Sequence, residues 1–186
     1  VLDSNNHLLV VDGSSGRIKH RIHIPADNFC TVKCSTLAGT ANGNRILVGN
    51  SDIGYPPYDY ANPWLIFDGT YNLIHKGEYK GAGHDARIFD ANGDGVDEFL
   101  IGYELVDHNG HNIWTVDSWR DQNLNNSILQ HCDGTALIKK DDDWFVAIAG
   151  SDCIYLVDSN GNCKWSKHLP HPQYVCVLRD GPNDLI

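Results

Sequence analysis

Two groups of residues in this chain have the types and spacing to do chemistry. The first is the run "DANGDGVDE", residues 90–98, which sets Asp90, Asn92, Asp94 and Glu98 at relative positions 1, 3, 5 and 9, with Gly95 at position 6. Side-chain oxygens at alternate positions of a tight loop converge on one point. Hard oxygen donors with a glycine to turn the chain suit Ca²⁺, and the backbone carbonyl of Val96 adds another donor. An EF-hand is excluded, because its twelfth position must be a bidentate Glu and here is Ile101. The plain alternative is an acidic turn that holds no metal. The second group is three histidines: His84 in "GAGHDA", His131 in "LQHCDG" and His171 in "PHPQYV". Imidazole titrates near neutral pH, which suits it to move protons. Taken singly, each histidine is as well read as a core or surface ring bonded to backbone.

The elements that must position these groups recur along the chain. Four segments share one shape: "LLVVDGSSGRIKH", "WLIFDGTYNLIHK", "YELVDHNGHNIWTVD" and "IYLVDSNGNCKWSKH". Each reads as a short apolar strand, an Asp, a turn of small polar residues and a second strand. The marker aspartates Asp12, Asp68, Asp107 and Asp158 recur at intervals of roughly 40–55 residues. Asp followed by Gly, Ser or Asn between β-rich runs is hairpin chemistry. Each of the last three hairpins follows an apolar strand ending in Gly, in "RILVGN", "EFLIGY" and "FVAIAGS". Upstream of those lie further strands in "FCTVKCSTLAG", "HDARIFD" and "TALIK", and "QYVCVLRD" (173–180) starts another unit. No stretch shows a sustained helical period with caps. Units of four antiparallel strands at this spacing predict an all-β chain forming one β-propeller domain over residues 1–186. The strands amount to three whole blades plus two half blades. They are part of a larger ring, or the ends meet to close a four-bladed ring. A β-sandwich is the competing architecture.

In this register the three histidines start successive first strands, so repeat symmetry gathers them at the mouth of a central channel. The loop "NSDIGYPPYDYANPW" (50–64) is swollen and opens on the same side. It carries Tyr55, Tyr58, Tyr60 and Trp64, stiffened by Pro56, Pro57 and Pro63. Aromatic rings over a polar cluster suit a carbohydrate, whose apolar faces stack on rings while polar tips bind hydroxyls. An ordered surface loop or a contact with another subunit is the alternative. The 90–98 loop falls at the opposite end of its strand, so its metal is expected to be structural rather than catalytic.

The segment "DANGDGVDEFLIG" resembles the calcium loop of FG-GAP propeller repeats, with Glu98 in place of the usual last Asp. Together with the blade pattern and "HPQYVCVLRDGPNDLI", it looks like the propeller polysaccharide lyases of the rhamnogalacturonan lyase and ulvan lyase kinds. The resemblance implies a secreted or extracellular enzyme that cuts an acidic, uronate-containing polysaccharide by β-elimination. Such chemistry needs the uronate carboxylate masked, a base for the C5 proton and an acid for the leaving oxygen. By position, His84 and His131 are the expected base and acid, Tyr58 an alternative acid and Arg87 the neutralising cation. His171, Tyr55, Tyr60 and Trp64 are the expected substrate contacts. FG-GAP loops also occur in adhesion propellers that catalyse nothing, so a calcium-stabilised glycan-binding propeller is the second expectation.

Composition narrows the partners. The chain has 24 Asp and Glu against 14 Lys and Arg, a net charge of −10. That disfavours nucleic acid and suits a cation or a glycan. No apolar run approaches membrane-spanning length. There is no Met, even at position 1, which implies a processed chain or a piece of a longer one. The rest of the ring or another subunit is then an expected partner. Six cysteines without CxxC spacing leave disulfide pairing open.

Overall fold

The structure is a computed structural model that describes residues 1–25, 31–35, 43–49, 63–79, 81–84, 86–116, 131–140, 143–150, 152–180 and 183–185. Among these residues there are sixteen strands and no helix. Strands β1 (His7–Val11) and β2 (Ile18–His23) form a two-stranded sheet. Three four-stranded sheets follow, each paired in chain order and antiparallel throughout. The first is β3 (Thr31–Ser35), β4 (Arg45–Gly49), β5 (Pro63–Asp68) and β6 (Leu73–Glu78). The second is β7 (Ala86–Phe89), β8 (Glu98–Ile101), β9 (Glu104–Val106) and β10 (Asn112–Thr115). The third is β11 (Cys132–Lys140), β12 (Asp143–Gly150), β13 (Cys153–Asp158) and β14 (Cys163–His168). A last pair, β15 (Leu178–Asp180) and β16 (Asn183–Leu185), stands apart as its own sheet.

Burial explains why the middle strands read as continuous apolar runs. The strand β8 is buried along its whole length, β9 likewise, and β5 except at its ends. The outer strands β2, β6 and β14 are mostly exposed and correspondingly polar. A strand covered on both faces shows no polar alternation, because both its faces meet apolar neighbours. Those neighbours belong to adjacent sheets. Leu8 and Ile24 pack with Val48, Leu65 and Phe67 of the next sheet. Leu47 and Ile66 pack with Phe99, Ile101 and Val106. Leu100 and Leu105 pack with Val146, Ile148 and Val157. Each sheet therefore buries its face against the next one in sequence, and each of these side chains contributes about 1.5–3 kcal/mol. Strand β7, the first strand of its sheet, touches both β3 and β11, the first strands of its neighbours.

The four marker aspartates all occupy the turn between the last two strands of a sheet. In each, the same carboxylate oxygen accepts two backbone N–H groups: Ser14 and Ser15 on Asp12, Thr70 and Asn72 on Asp68, Asn109 and His111 on Asp107, Asn160 and Asn162 on Asp158. The chain then passes through a left-handed residue, at Gly16, Tyr71, Gly110 and Gly161. A ring from the preceding sheet's outer strand covers this residue in the last three turns. His20 lies against Tyr71 at 4.7 Å between centroids, His75 lies over Gly110, and Trp114 lies over Gly161. Trp114 Nε1 also donates to Ser159 O at 3.1 Å. The relation between one sheet and the next is thus repeated down to the turn.

The reading of strands holds in all three four-stranded units. The segment 173–180 departs from it, since only Leu178–Asp180 is a strand. Val175 instead buries itself against Ala136, Ala147 and Ala149. Cys34, Cys132, Cys153, Cys163 and Cys176 are not disulfide-bonded. Cys30 lies outside the described residues.

Candidate functional site: three imidazoles around one carboxylate

The three histidines expected at one mouth do meet, and a residue that was not singled out gathers them. His131 Nε2 lies 2.9 Å from Asp133 Oδ1, and His84 Nε2 lies 3.6 Å from the same oxygen. His171 Nε2 lies 3.6 Å from Asp133 Oδ2. The rings of His84 and His131 meet edge to face at 5.4 Å between centroids, and those of His131 and His171 at 6.1 Å. The Asp133 side chain is 3% exposed and that of His131 is 8% exposed, whereas His84 and His171 are 47% and 58% exposed. The site is a buried carboxylate and imidazole with two open imidazoles at its rim.

Local backbone chemistry builds this arrangement. The ladder of β11 on β12 slips between Cys132 and Gly134, which leaves Asp133 as the extra, unpaired residue of a bulge. A bulge re-aims one side chain, and here it turns a carboxylate inward. The segment 81–84 is fastened to the start of β11 by two backbone bonds, from His84 N–H to Cys132 O at 3.0 Å and from Cys132 N–H to Gly81 O at 2.9 Å. Gly83 permits that approach, since a Cβ there would run into the Cys132 carbonyl. His171 sits between Pro170 and Pro172 with φ of 49°, a left-handed conformation that a non-glycine residue holds only at a cost.

The remaining expected site residues divide. Arg87 does not reach the cluster as a free cation. Its guanidinium donates to the Thr135 hydroxyl at 3.3 Å and to the Thr135 carbonyl, so it ties β7 to β11. Trp64 is no glycan platform, because it is fully buried among Leu47, Ile66 and Phe99. Its ring lies over Gly49, its cross-strand partner, in space a Cβ would fill. Tyr55, Tyr58 and Tyr60 lie outside the described residues.

The 90–98 loop begins where β7 ends, the other end of that strand from His84. Its side chains hold the backbone in a compact coil. Asp90 accepts the Gly93 and Gly95 N–H groups, Asn92 accepts Asp94 N–H, and Asp94 accepts Val96 N–H. Gly93 and Gly95 both take positive φ, which the tight coil requires. Glu98 is 3% exposed and accepts Ala91 N–H at 2.7 Å. Burial raises its carboxyl above the usual range; the Ala91 bond opposes this, and Asp94, Asp90 and Asp97 add to it. A buried carboxylate among three others is a charge arrangement that a cation relieves, and all the donors are oxygens, which fits Ca²⁺. Asp90, Asp94 and Glu98 do not offer three ligand atoms within 4.8 Å of one another, as His84, His131 and Asp133 do. A cleft of about 210 Å³ lies beside the loop, lined by Asp90, Asn92, Lys139, Asp143 and Trp144. Trp144 Nε1 donates to Ala91 O at 2.7 Å across it.

No family model matches this sequence, and no curated protein resembles it in sequence. Solved structures do match in fold. The exotype rhamnogalacturonan lyase YesX aligns with 88% of this chain at a TM-score of 0.64 and 18% identity. The rhamnogalacturonan lyase PL11 of Bacillus licheniformis aligns with 88% at 0.59 and 17% identity. The biofilm matrix protein Bap1 of V. cholerae aligns with 89% at 0.58 and 17% identity. This chain spans 30%, 31% and 25% of those three chains, respectively. The likeness establishes a shared fold with two lyases and a matrix protein. Among the described residues no helix is long and apolar enough to cross a membrane.

Proposed function

We propose that this chain is a β-propeller unit of a secreted or extracellular protein that cleaves an acidic polysaccharide by β-elimination, with its reaction centre at the Asp133 histidine cluster. The observation that carries the reading is the convergence of His84, His131 and His171 on one buried carboxylate. Proton transfer at C5 of a uronate and at the leaving oxygen needs imidazoles held in fixed relation and open to substrate. His84 and His171 are the rings a polymer can reach. His131 is enclosed, which suits it to orient Asp133 and its neighbour rather than to protonate a leaving group. Arg87 is engaged by Thr135, so charge neutralisation falls to another group. The propeller reading is supported by the face-to-face stacking of successive sheets and by the contact of their first strands. The fold shared with two rhamnogalacturonan lyases supports the substrate class.

The 90–98 loop is proposed as an FG-GAP-type Ca²⁺ site with a structural role, its donors Asp90, Asn92, Asp94, the Val96 carbonyl and Glu98. The other reading, a glycan-binding propeller without turnover, draws on the fold shared with a biofilm matrix protein. Incubation with rhamnogalacturonan and other uronate polymers separates the two. A lyase generates a product with the ultraviolet absorbance of an unsaturated uronate, and a binding module retains the polymer unchanged.

A further inference from the structure

The carboxylate at the centre of the cluster is short of partners. Asp133 Oδ2 is buried and accepts no hydrogen bond; His171 Nε2, which pairs with the Gln173 side-chain amide at 3.1 Å, stands 3.6 Å from it. Burying a carboxylate with one oxygen left without a donor is costly, and a cation on the carboxylate offsets the charge so buried. Around this carboxylate, one ligand atom each from His84, His131 and Asp133 fall within 4.8 Å of one another. A tetrahedral ion bound at about 2.0–2.1 Å holds neighbouring donors about 3.3 Å apart. The separations of 2.9 and 3.6 Å from Asp133 Oδ1 to the two imidazoles straddle that value.

We propose that His84, His131 and Asp133 bind a divalent transition-metal cation of the zinc class. Two imidazole nitrogens and one carboxylate are borderline donors that favour such ions, whereas Ca²⁺ takes oxygens alone. The site is therefore chemically distinct from the 90–98 loop. Its geometry is preset by the bulge that turns Asp133 inward and by the backbone bonds that fix His84 against Cys132. Three protein ligands leave a coordination position open, which is the pattern of metal sites that meet substrate. The exposed rings of His84 and His171 mark that open side. Resting on the proposed function, the cation supplies the charge neutralisation that Arg87 is not free to give, and His171 is the imidazole left to move the proton.

The test is calorimetric titration of the chelator-stripped full chain with Zn²⁺ in excess Ca²⁺, followed by visible absorption with Co²⁺. The expected result is one tight equivalent per chain that Ca²⁺ does not displace. Affinity should fall by about 100-fold or more in His84→Ala and in Asp133→Asn, given that even outer-shell changes cost about 10–100-fold. Failure to bind one equivalent, or undiminished affinity in both variants, overturns the proposal. Because His84 is half exposed, its removal tests ligation even where loss of Asp133 impairs folding. Polymer cleavage by a chain that binds no Zn²⁺ would remove the metal and leave the lyase. Stoichiometric binding lost in His84→Ala, without cleavage of any polymer, would leave the metal and remove the lyase.

Discussion

Asp133 has three imidazole neighbours, and each is recruited by a different local device. His131 immediately precedes the strand that carries Asp133, His84 comes from a segment stitched to the start of that strand, and His171 lies between two prolines. That division makes the residues separable by mutation. Gly83→Ala is expected to force the 81–84 segment off Cys132, because the added Cβ meets backbone, with Cys132 C at 2.7 Å, and backbone cannot rotate away. The expected cost is about 1–3 kcal/mol, seen as a lower melting temperature, with turnover lost alongside. Arg87→Ala should act differently. It removes a tie between β7 and β11 and should lower stability by about 1–3 kcal/mol while the chemistry, scaled to folded protein, persists. Both are checked by thermal melts beside single-substrate assays. The three histidines were legible from repeat register, since all precede first strands. Asp133 was not, because its inward turn depends on a bulge, and a bulge in an otherwise regular strand leaves no mark in hydrophobic alternation. Trp64 was misread for a related reason. The strand β5 is buried on both faces, so nothing in the pattern separates its core side from the adjoining loop.

At the scale of the element, the repeated turn is the unit that fixes the spacing of the sheets. Its Asp carboxyls all lie below their ordinary range. For Asp12 the Lys19 ammonium is the leading cause. For Asp68, Asp107 and Asp158, burial pushes upward and is outweighed by the turn's donors, chiefly the N–H groups of Asn72, His111 and Asn162. A carboxyl depressed in the folded state adds stability that is present above the unfolded value, 3.8, and is lost as pH falls through the folded one. Melting temperature should therefore decline steeply once pH drops below about 4. Asp107→Asn should be less stable at neutral pH and show a shallower decline, which melts across a pH series would reveal. Gly161→Ala should cost more than most surface changes, about 1–2 kcal/mol, because φ is +84° and the Trp114 ring lies 2.9 Å from the added carbon. These turns were readable in advance, since Asp with Gly or Asn at fixed offsets states its own hydrogen bonding. The covering rings His75 and Trp114 were not, as nothing within a unit tells which ring of the preceding unit reaches it.

At the scale of the molecule, sheets stacked in chain order share their faces, so stability is distributed through neighbours rather than through a single core. A loop that pins β7 to β8 should therefore be felt throughout the chain. With the proposed Ca²⁺ bound at residues 90–98, chelation is expected to lower the melting temperature, and Asp94→Ala should abolish that sensitivity. A melting temperature indifferent to chelator and to added Ca²⁺ would reduce the loop to a turn. The all-β character and the unit boundaries were visible in the sequence because each unit repeats its own hairpin. The run 173–177 was not, because Val175 finds its partners on the third sheet and not in a ladder.

The central claim is that the cluster on Asp133 performs elimination on an acidic polysaccharide. Its most direct test is the rate at which unsaturated uronate forms from such a polymer, followed by ultraviolet absorbance, for the wild-type chain, His84→Ala and His171→Ala. Circular dichroism on the same samples establishes that each is folded. Product is expected from the wild type, with a fall of about 10²–10⁴-fold in His171→Ala, the usual worth of a positioned acid or base, and a comparable fall in His84→Ala. Formation of no product from any uronate polymer, or equal rates in wild type and both variants, would contradict it.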